Sequence, residues 1–259
     1  MLFLNLLFLF VCLPNGTPET VASNTYMNYG PTTEYPGHTK KLSKKEPQTP
    51  NLISNSDSLT YSAAKYQIGE MRTRLVYDLK EKRIELDSVK EIFADQLVNK
   101  IIPFWYGTAW SFGGHTAIPG RGKIACGYFV STTLRDMGLK LNRYKLAQKS
   151  PIDEALAISC GTEITTIEED DYDNTLTKID SLVQKGIYFI GFDTGHVGFL
   201  VKKNGVLFLI HSNYLLPISV CIEPLKNARV FKKFTKFHLV DVSHNDLLIK
   251  KWLSGEVVL

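Results

Sequence analysis

Cys126, His196 and His211 are the residues of this chain whose types could do chemistry together. Cys126 lies in GRGKIACGYFVSTTLRDMGL (120–139), where a glycine-punctuated loop runs into a segment with Phe129, Val130, Leu134 and Met137 at helical spacing. A thiol at a helix N-terminus meets unpaired backbone N–H groups and the positive end of the helix dipole, and both favour thiolate. Gly127, beside the sulfur, leaves the backbone open to a substrate carbonyl, whose developing oxyanion those N–H groups could hold. A cysteine taken alone is as readily a small core residue. What separates the two readings is a histidine partner downstream.

HVGFLVK (196–202) and VLFLIHSN (206–213) offer that partner: they are β-rich runs joined across Asn204-Gly205, a strong two-residue hairpin signal. With that turn, Lys203 faces Val206, Gly198 faces His211 and His196 faces Asn213. Alternation then puts His196, Gly198, His211 and Asn213 on one face, with Gly198 leaving room between the rings. A slip of one residue separates the pair. His196, opening a strand directly after a turn, is the expected base for a Cys126 nucleophile. His211, or failing that Asn213, is the expected third group, fixing the tautomer and orientation of His196. The bland reading makes these surface or core histidines with ordinary hydrogen bonds. A zinc site from Cys126 and the histidines is not expected, because no C-x-x-C or H-x-x-x-H spacing exists.

Residues 60–83 carry Ile68, Met71, Leu75, Val76 and Leu79 at the spacing of an amphipathic helix; 87–102 is a clearer one, ended by Pro103. PFWYGTAWSFGGH follows, in which Trp105, Tyr106, Trp110 and Phe112 form either a packed Ω-type loop or the wall of a binding cleft; its glycines and polar tips favour the cleft. Ser150-Pro151-Ile152-Asp153 has the N-cap, first-turn proline and acidic residue of a helix start. The acidic run 168–173 reads as a solvated loop without the glycine and terminal glutamate of a calcium loop. A helix over 174–185 closes at Gly186. The period then changes to two, with strands at 187–193, 196–202, 206–213, 218–223 and 234–242 and a last helix near 244–253. Helices first and a meandering antiparallel sheet second predict an α+β fold.

The N-terminal MLFLNLLFLFVCLP is too short to span a bilayer as a helix and has the length of a signal-peptide core, so residues 1–14 read as an export signal, with a retained membrane anchor as the other reading. Residues 15–56, rich in Pro, Thr, Asn, Ser, Gly and Lys without apolar period, read as a disordered tether, and 57–259 as one domain. Hydrophobic residues at 44% and charged residues at 22% support a sizeable core. The net charge of +4 owes much to Lys40, Lys41, Lys44 and Lys45 and gives no case for a nucleic-acid partner. With Cys12 removed or lipidated on export, Cys126, Cys160 and Cys221 would be an odd set, implying at least one free thiol; whether Cys160 and Cys221 pair stays open.

With these residues in place the chain resembles the papain-like cysteine peptidases of the NlpC type, bacterial cell-wall hydrolases. CGYFVSTTLRDMGL stands where those enzymes have their nucleophile helix, GHVGFLVKKNG resembles their histidine strand and turn, and LIHS matches the strand of their third catalytic residue. PFWYGTAW is similar to their upstream aromatic-glycine loop, with Tyr106 as the counterpart of the tyrosine near the nucleophile. The sequence departs at Ala125, where an aspartate is common, and in the insert 140–186. The resemblance implies a papain-like fold in which the nucleophile helix packs on an antiparallel sheet. It implies a Cys126 thiolate attacking an amide carbonyl, His196 as base and then acid, and His211 holding His196. The oxyanion would rest on the Cys126 N–H with Tyr106, Gly127, Trp110 and Asn213 nearby. The implied substrate is a peptide or acyl amide in peptidoglycan, reached by an exported enzyme, and the resemblance implies that no metal or organic cofactor is needed. A non-catalytic cell-wall or ligand-binding module on the same fold, or an acyltransferase working through the same thioester, are the alternatives.

Overall fold

Asn204 and Gly205 both adopt positive φ (50° and 75°), the backbone that a two-residue hairpin turn of matching twist requires. The expected register follows: β3 (His196–Lys203) pairs with β4 (Val206–Ser212) with Lys203 opposite Val206 and Phe199 opposite Ile210. This hairpin lies near the middle of a six-stranded, wholly antiparallel sheet in the computed structural model, which describes residues 60–193 and 195–259. The export signal expected at 1–14 and the tether expected at 15–56 lie outside the described residues. With β1 (Thr165–Glu168), β2 (Ile187–Phe192), β5 (Val220–Pro224) and β6 (Lys236–Asp241), the strand order is β1-β6-β2-β3-β4-β5.

Among the described residues seven α-helices accompany the sheet: α1 (Tyr61–Lys80), α2 (Leu86–Gln96), α3 (Cys126–Asp136), α4 (Arg143–Ala147), α5 (Pro151–Ser159), α6 (Tyr172–Leu182) and α7 (Asp246–Ser254). The fold is therefore α+β. Alternation splits the sheet between two cores. Val197, Phe199, Val201 and Ile210 face α3 through Phe129, Val130 and Leu134, while Leu200, Leu209, Ile190 and Phe192 pack on the other face with Ile179 of α6 and the 225–237 segment. His196 and Gly198 belong by alternation to that second face, so α3 and the histidine side chains occupy opposite faces of the sheet.

Several boundaries differ from expectation for local reasons. Pro103 does not end the second helix. A π-turn (Leu97–Ile101) and a 3₁₀ turn (Ile102–Trp105) carry the chain on, with Pro103 in the first turn, where its missing N–H costs nothing. The acidic run is not simply a loop: Glu168 ends β1 and Asp171 caps α6 by accepting from Asn174 N–H. Ser150 caps α5 as expected, accepting from Asp153 N–H. Trp105 belongs to the core and not to a cleft wall: it is fully buried and its Nε1–H donates to Tyr61 Oη at 3.0 Å. Tyr61 in turn donates to Asp136 at 2.7 Å, so one hydroxyl joins the start of α1, the aromatic loop and the end of α3.

Tyr61→Phe leaves Trp105 Nε1 and Asp136 each without that partner inside the protein. A loss of about 1–3 kcal/mol is expected, read from denaturant midpoints at unchanged slope; a midpoint equal to that of the parent protein would show that the junction is not stabilising.

Candidate active site

Cys126 is the first residue of α3, and its N-cap Ala125 offers no side-chain cap, so the first N–H groups of the helix stay available. The approach to the sulfur is fixed from two sides. Ala125 N–H donates to Gly114 O at 2.8 Å, and Ser212 of β4 donates its hydroxyl to Ile124 O at 2.7 Å. Gly114 must be glycine, because a Cβ there would come within 2.7 Å of Ile124 N. A cleft of about 350 Å³ opens at this end of the sheet, with Cys126, Gly127, Tyr128, Trp110, Phe112, Gly195, His196 and Tyr214 among its walls. The start of α3 and the His196 end of β3 thus meet at the end of the sheet, although α3 and the histidine side chains occupy opposite faces of it.

Behind His196 runs a chain of short contacts. His196 Nε2 lies 2.8 Å from His211 Nδ1, and His211 Nε2 lies 2.9 Å from Glu223 Oε1. A carboxylate only accepts, so His211 donates from Nε2 and accepts on Nδ1; His196 then donates from Nε2 and keeps a lone pair on Nδ1. That Nδ1 is buried without a partner in the protein. Burial, with His211 adjacent, holds His196 well below its usual 6.5, and burial also lowers His211 against the upward pull of Glu223. Both rings are neutral near neutral pH, as the proton path requires. Gly198 makes the ring pair possible: a Cβ there would sit 3.0 Å from His211 Cβ and 2.9 Å from Ile210 O.

The structure separates the expected site residues. Cys126, Gly127, His196 and Trp110 share the cleft. Of His211 and Asn213, His211 is the one whose ring lies within hydrogen-bond distance of His196. Asn213 instead braces Glu223, donating from Nδ2 at 3.4 Å while its Oδ1 accepts from Leu215 N–H at 2.8 Å. Tyr106 does not line the cleft; it packs near Cys221, where burial pushes its hydroxyl up to about 12, so its expected oxyanion role is corrected. The free donor is Trp110, whose Nε1–H is buried and unpartnered in the cleft wall. The expected thiolate is also corrected. Gly127, Val197 and Cys126 N–H groups favour it, but burial outweighs them, with Glu154 acting in the same direction as burial, and the Cys126 thiol rises to about 11. Cys126, Cys160 and Cys221 are all free thiols, so Cys160 and Cys221 do not pair.

Three residues escaped the sequence reading. Glu223 lies beyond the irregular 213–219 turn, whose length hid the β4–β5 register. Tyr214, one residue past the run that was read, stands edge-on to His196 at 5.5 Å and tilted on Trp110 at 5.9 Å. Glu154, first-turn residue of α5, is buried behind Gly127; a Cβ on Gly127 would lie 2.8 Å from its Oε1, and its Oε2 has no partner in the protein. Its helix-start position signalled only a cap.

No protein-family model, no curated protein and no solved structure matches the chain.

Burial raises Glu154 well above its usual 4.5. A raised acid contributes stability that is fully present below its unfolded value and is lost as pH climbs towards and through its folded value. Glu154→Gln removes this dependence, so the melting-temperature difference between variant and parent should shift in the variant's favour as pH rises from about 4.5 to neutrality. A pH-independent difference would mean that Glu154 is not a buried neutral acid.

Proposed function

We propose that this chain is a cysteine hydrolase of papain-like, NlpC-type architecture, acting on a peptide or acyl amide such as those of peptidoglycan outside the cell. The observation that supports it is the polar path Glu223–His211–His196, which leaves Nδ1 unpartnered on a histidine that lines the same cleft as a thiol at a helix N-terminus. A core histidine pair would need no such ending. The α+β order of elements and the nucleophile helix against an antiparallel sheet are what the resemblance to that family leads one to expect.

In this reading the resting pair is neutral thiol and neutral imidazole. As Cys126 Sγ attacks the carbonyl carbon, its proton passes to His196 Nδ1, and the imidazolium is supported through His211 by Glu223. The oxyanion is held by N–H groups at the start of α3 and by Trp110 Nε1–H. Collapse breaks the C–N bond, His196 returns the proton to the leaving amine, and a thioester remains on Cys126. Water activated by the same Nδ1 releases the acid and restores the thiol. An acyltransferase differs only in the acceptor that replaces water.

Cys126→Ala should abolish turnover of peptidoglycan fragments, followed by mass spectrometry, while leaving the fold intact by circular dichroism; retained cleavage would reject the nucleophile. Glu223→Gln can present an amide N–H to His211 and reverse the proton order, so kcat should fall about 10²- to 10⁴-fold with KM little changed. Parent-like kcat in that variant would remove Glu223 from the mechanism. Trp110→Phe keeps the ring and deletes the donor; a loss of about 10²- to 10³-fold in kcat is expected, and a change confined to KM would instead make Trp110 a substrate wall.

A further inference from the structure

We propose that His211, Cys221 and Glu223 form a binding site for a zinc-class divalent ion, and that filling it disarms the His196 base. The site stands on its own geometry; only its effect on catalysis rests on the hydrolase reading. His211 and Cys221 are cross-strand partners, and Glu223 lies two residues further along β5 on the same face. The register therefore brings one nitrogen, one sulfur and one oxygen donor within 4.8 Å of one another. Imidazole, thiolate and carboxylate are the ligand types that borderline divalent ions such as Zn²⁺ take, and three protein ligands leave a fourth position for water. His211 is fully buried, whereas Cys221 and Glu223 are half-buried and give the ion a way in.

Asn213 is placed to support the charged form of the ligands. Asn213 directs Nδ2 towards both Cys221 Sγ (3.9 Å) and Glu223 Oε1 (3.4 Å), and its bond from Leu215 N–H to Oδ1 prevents the amide from turning over. Such an outer donor orients ligands and supports thiolate. Cys221 has no part in the proton path, and its half-buried thiol is otherwise without a task. With ligand bonds of about 2.0–2.1 Å in a tetrahedron, His211 Nε2 and Glu223 Oε1 would stand roughly 3.3 Å apart. Their present 2.9 Å separation must open by only a few tenths of an ångström.

The consequence for His196 follows from proton counting. The ion takes the Nε2 lone pair of His211, so the Nε2 proton leaves. The Nε2 proton of His196 crosses to His211 Nδ1, and His196 Nδ1 takes up a proton from the cleft. Each ring stays neutral with one proton, and loss of the Cys221 thiol proton makes the net release one proton per ion. His196 Nδ1 now carries hydrogen and can no longer accept the Cys126 proton.

Co²⁺ is the probe, added to the full chain under a phosphine reductant, with Zn²⁺ as competitor. One Co²⁺ per chain with a thiolate-to-metal absorption band, displaced by Zn²⁺, is expected in the parent and in Cys126→Ala, and its loss in Cys221→Ala. Zn²⁺ should slow both turnover and iodoacetamide labelling of Cys126 in the parent. Cys221→Ala should keep the parent's basal rates and resist Zn²⁺. A band that survives in Cys221→Ala but vanishes in Cys126→Ala places the ion on the nucleophile and overturns the proposal, as does no band at millimolar Co²⁺. A Cys221-dependent band with unslowed labelling overturns the disarming step. A protein that turns over no amide yet shows that band and slowed labelling loses the hydrolase reading while the metal site stands.

Discussion

The hydrogen bond from His211 to Glu223 is the constraint on which the site depends. It is the one place where a group that can only accept meets the ring pair, and so it gives direction to protons that two neutral imidazoles would otherwise share in either sense. Without it, His196 Nδ1 is as readily a donor as an acceptor. The bond is made across neighbouring strands, which ties the chemistry to the register of β4 and β5 and through β4 to the hairpin turn at Asn204-Gly205. Burial then does the rest by keeping both rings uncharged.

The sheet does more than hold the histidines. It separates them from the helix that carries the sulfur, and only its end, where β3 begins, allows both to reach one cleft. Residues 107–110 are held along the start of β5, with Gly107 N–H donating to Val220 O and Val220 N–H to Thr108 O. The same segment pairs with residues leading into α3, Ile124 N–H donating to Ala109 O at 2.9 Å. Sulfur, indole and imidazole are therefore positioned by one connected set of backbone bonds.

Much of this was legible in the sequence, and the reasons are specific. Asn204-Gly205 has one favoured hairpin geometry, so the register and the shared face of His196, Gly198 and His211 followed from counting. Ser150-Pro151 marked α5 because cap and proline act locally. Features that depend on distant packing were hidden. Trp105 and Trp110 sit five residues apart in one aromatic loop, yet one is core and the other cleft, a difference decided by Tyr61 and Tyr214 from far along the chain. The thiolate expected from the helix dipole was outweighed by desolvation, which no local pattern reports. Glu223 was out of reach because seven irregular residues intervene between its strand and the preceding one.

Arg143 gives the cleft a mechanical property. Its guanidinium donates to the carbonyls of His115 and Thr116 and lies 5.4 Å from the Tyr128 ring centre and 4.8 Å from that of Tyr144. Trp110 and Phe112 precede that pair of carbonyls by a few residues, and Ala147 to Lys149 run from the last residue of the short helix that bears the arginine. Opposing banks of the groove are thereby riveted through a single buried cation. That tie resists independent movement of the two segments, which leaves the Phe112 ring, 90% exposed, as the cleft residue least held by its neighbours.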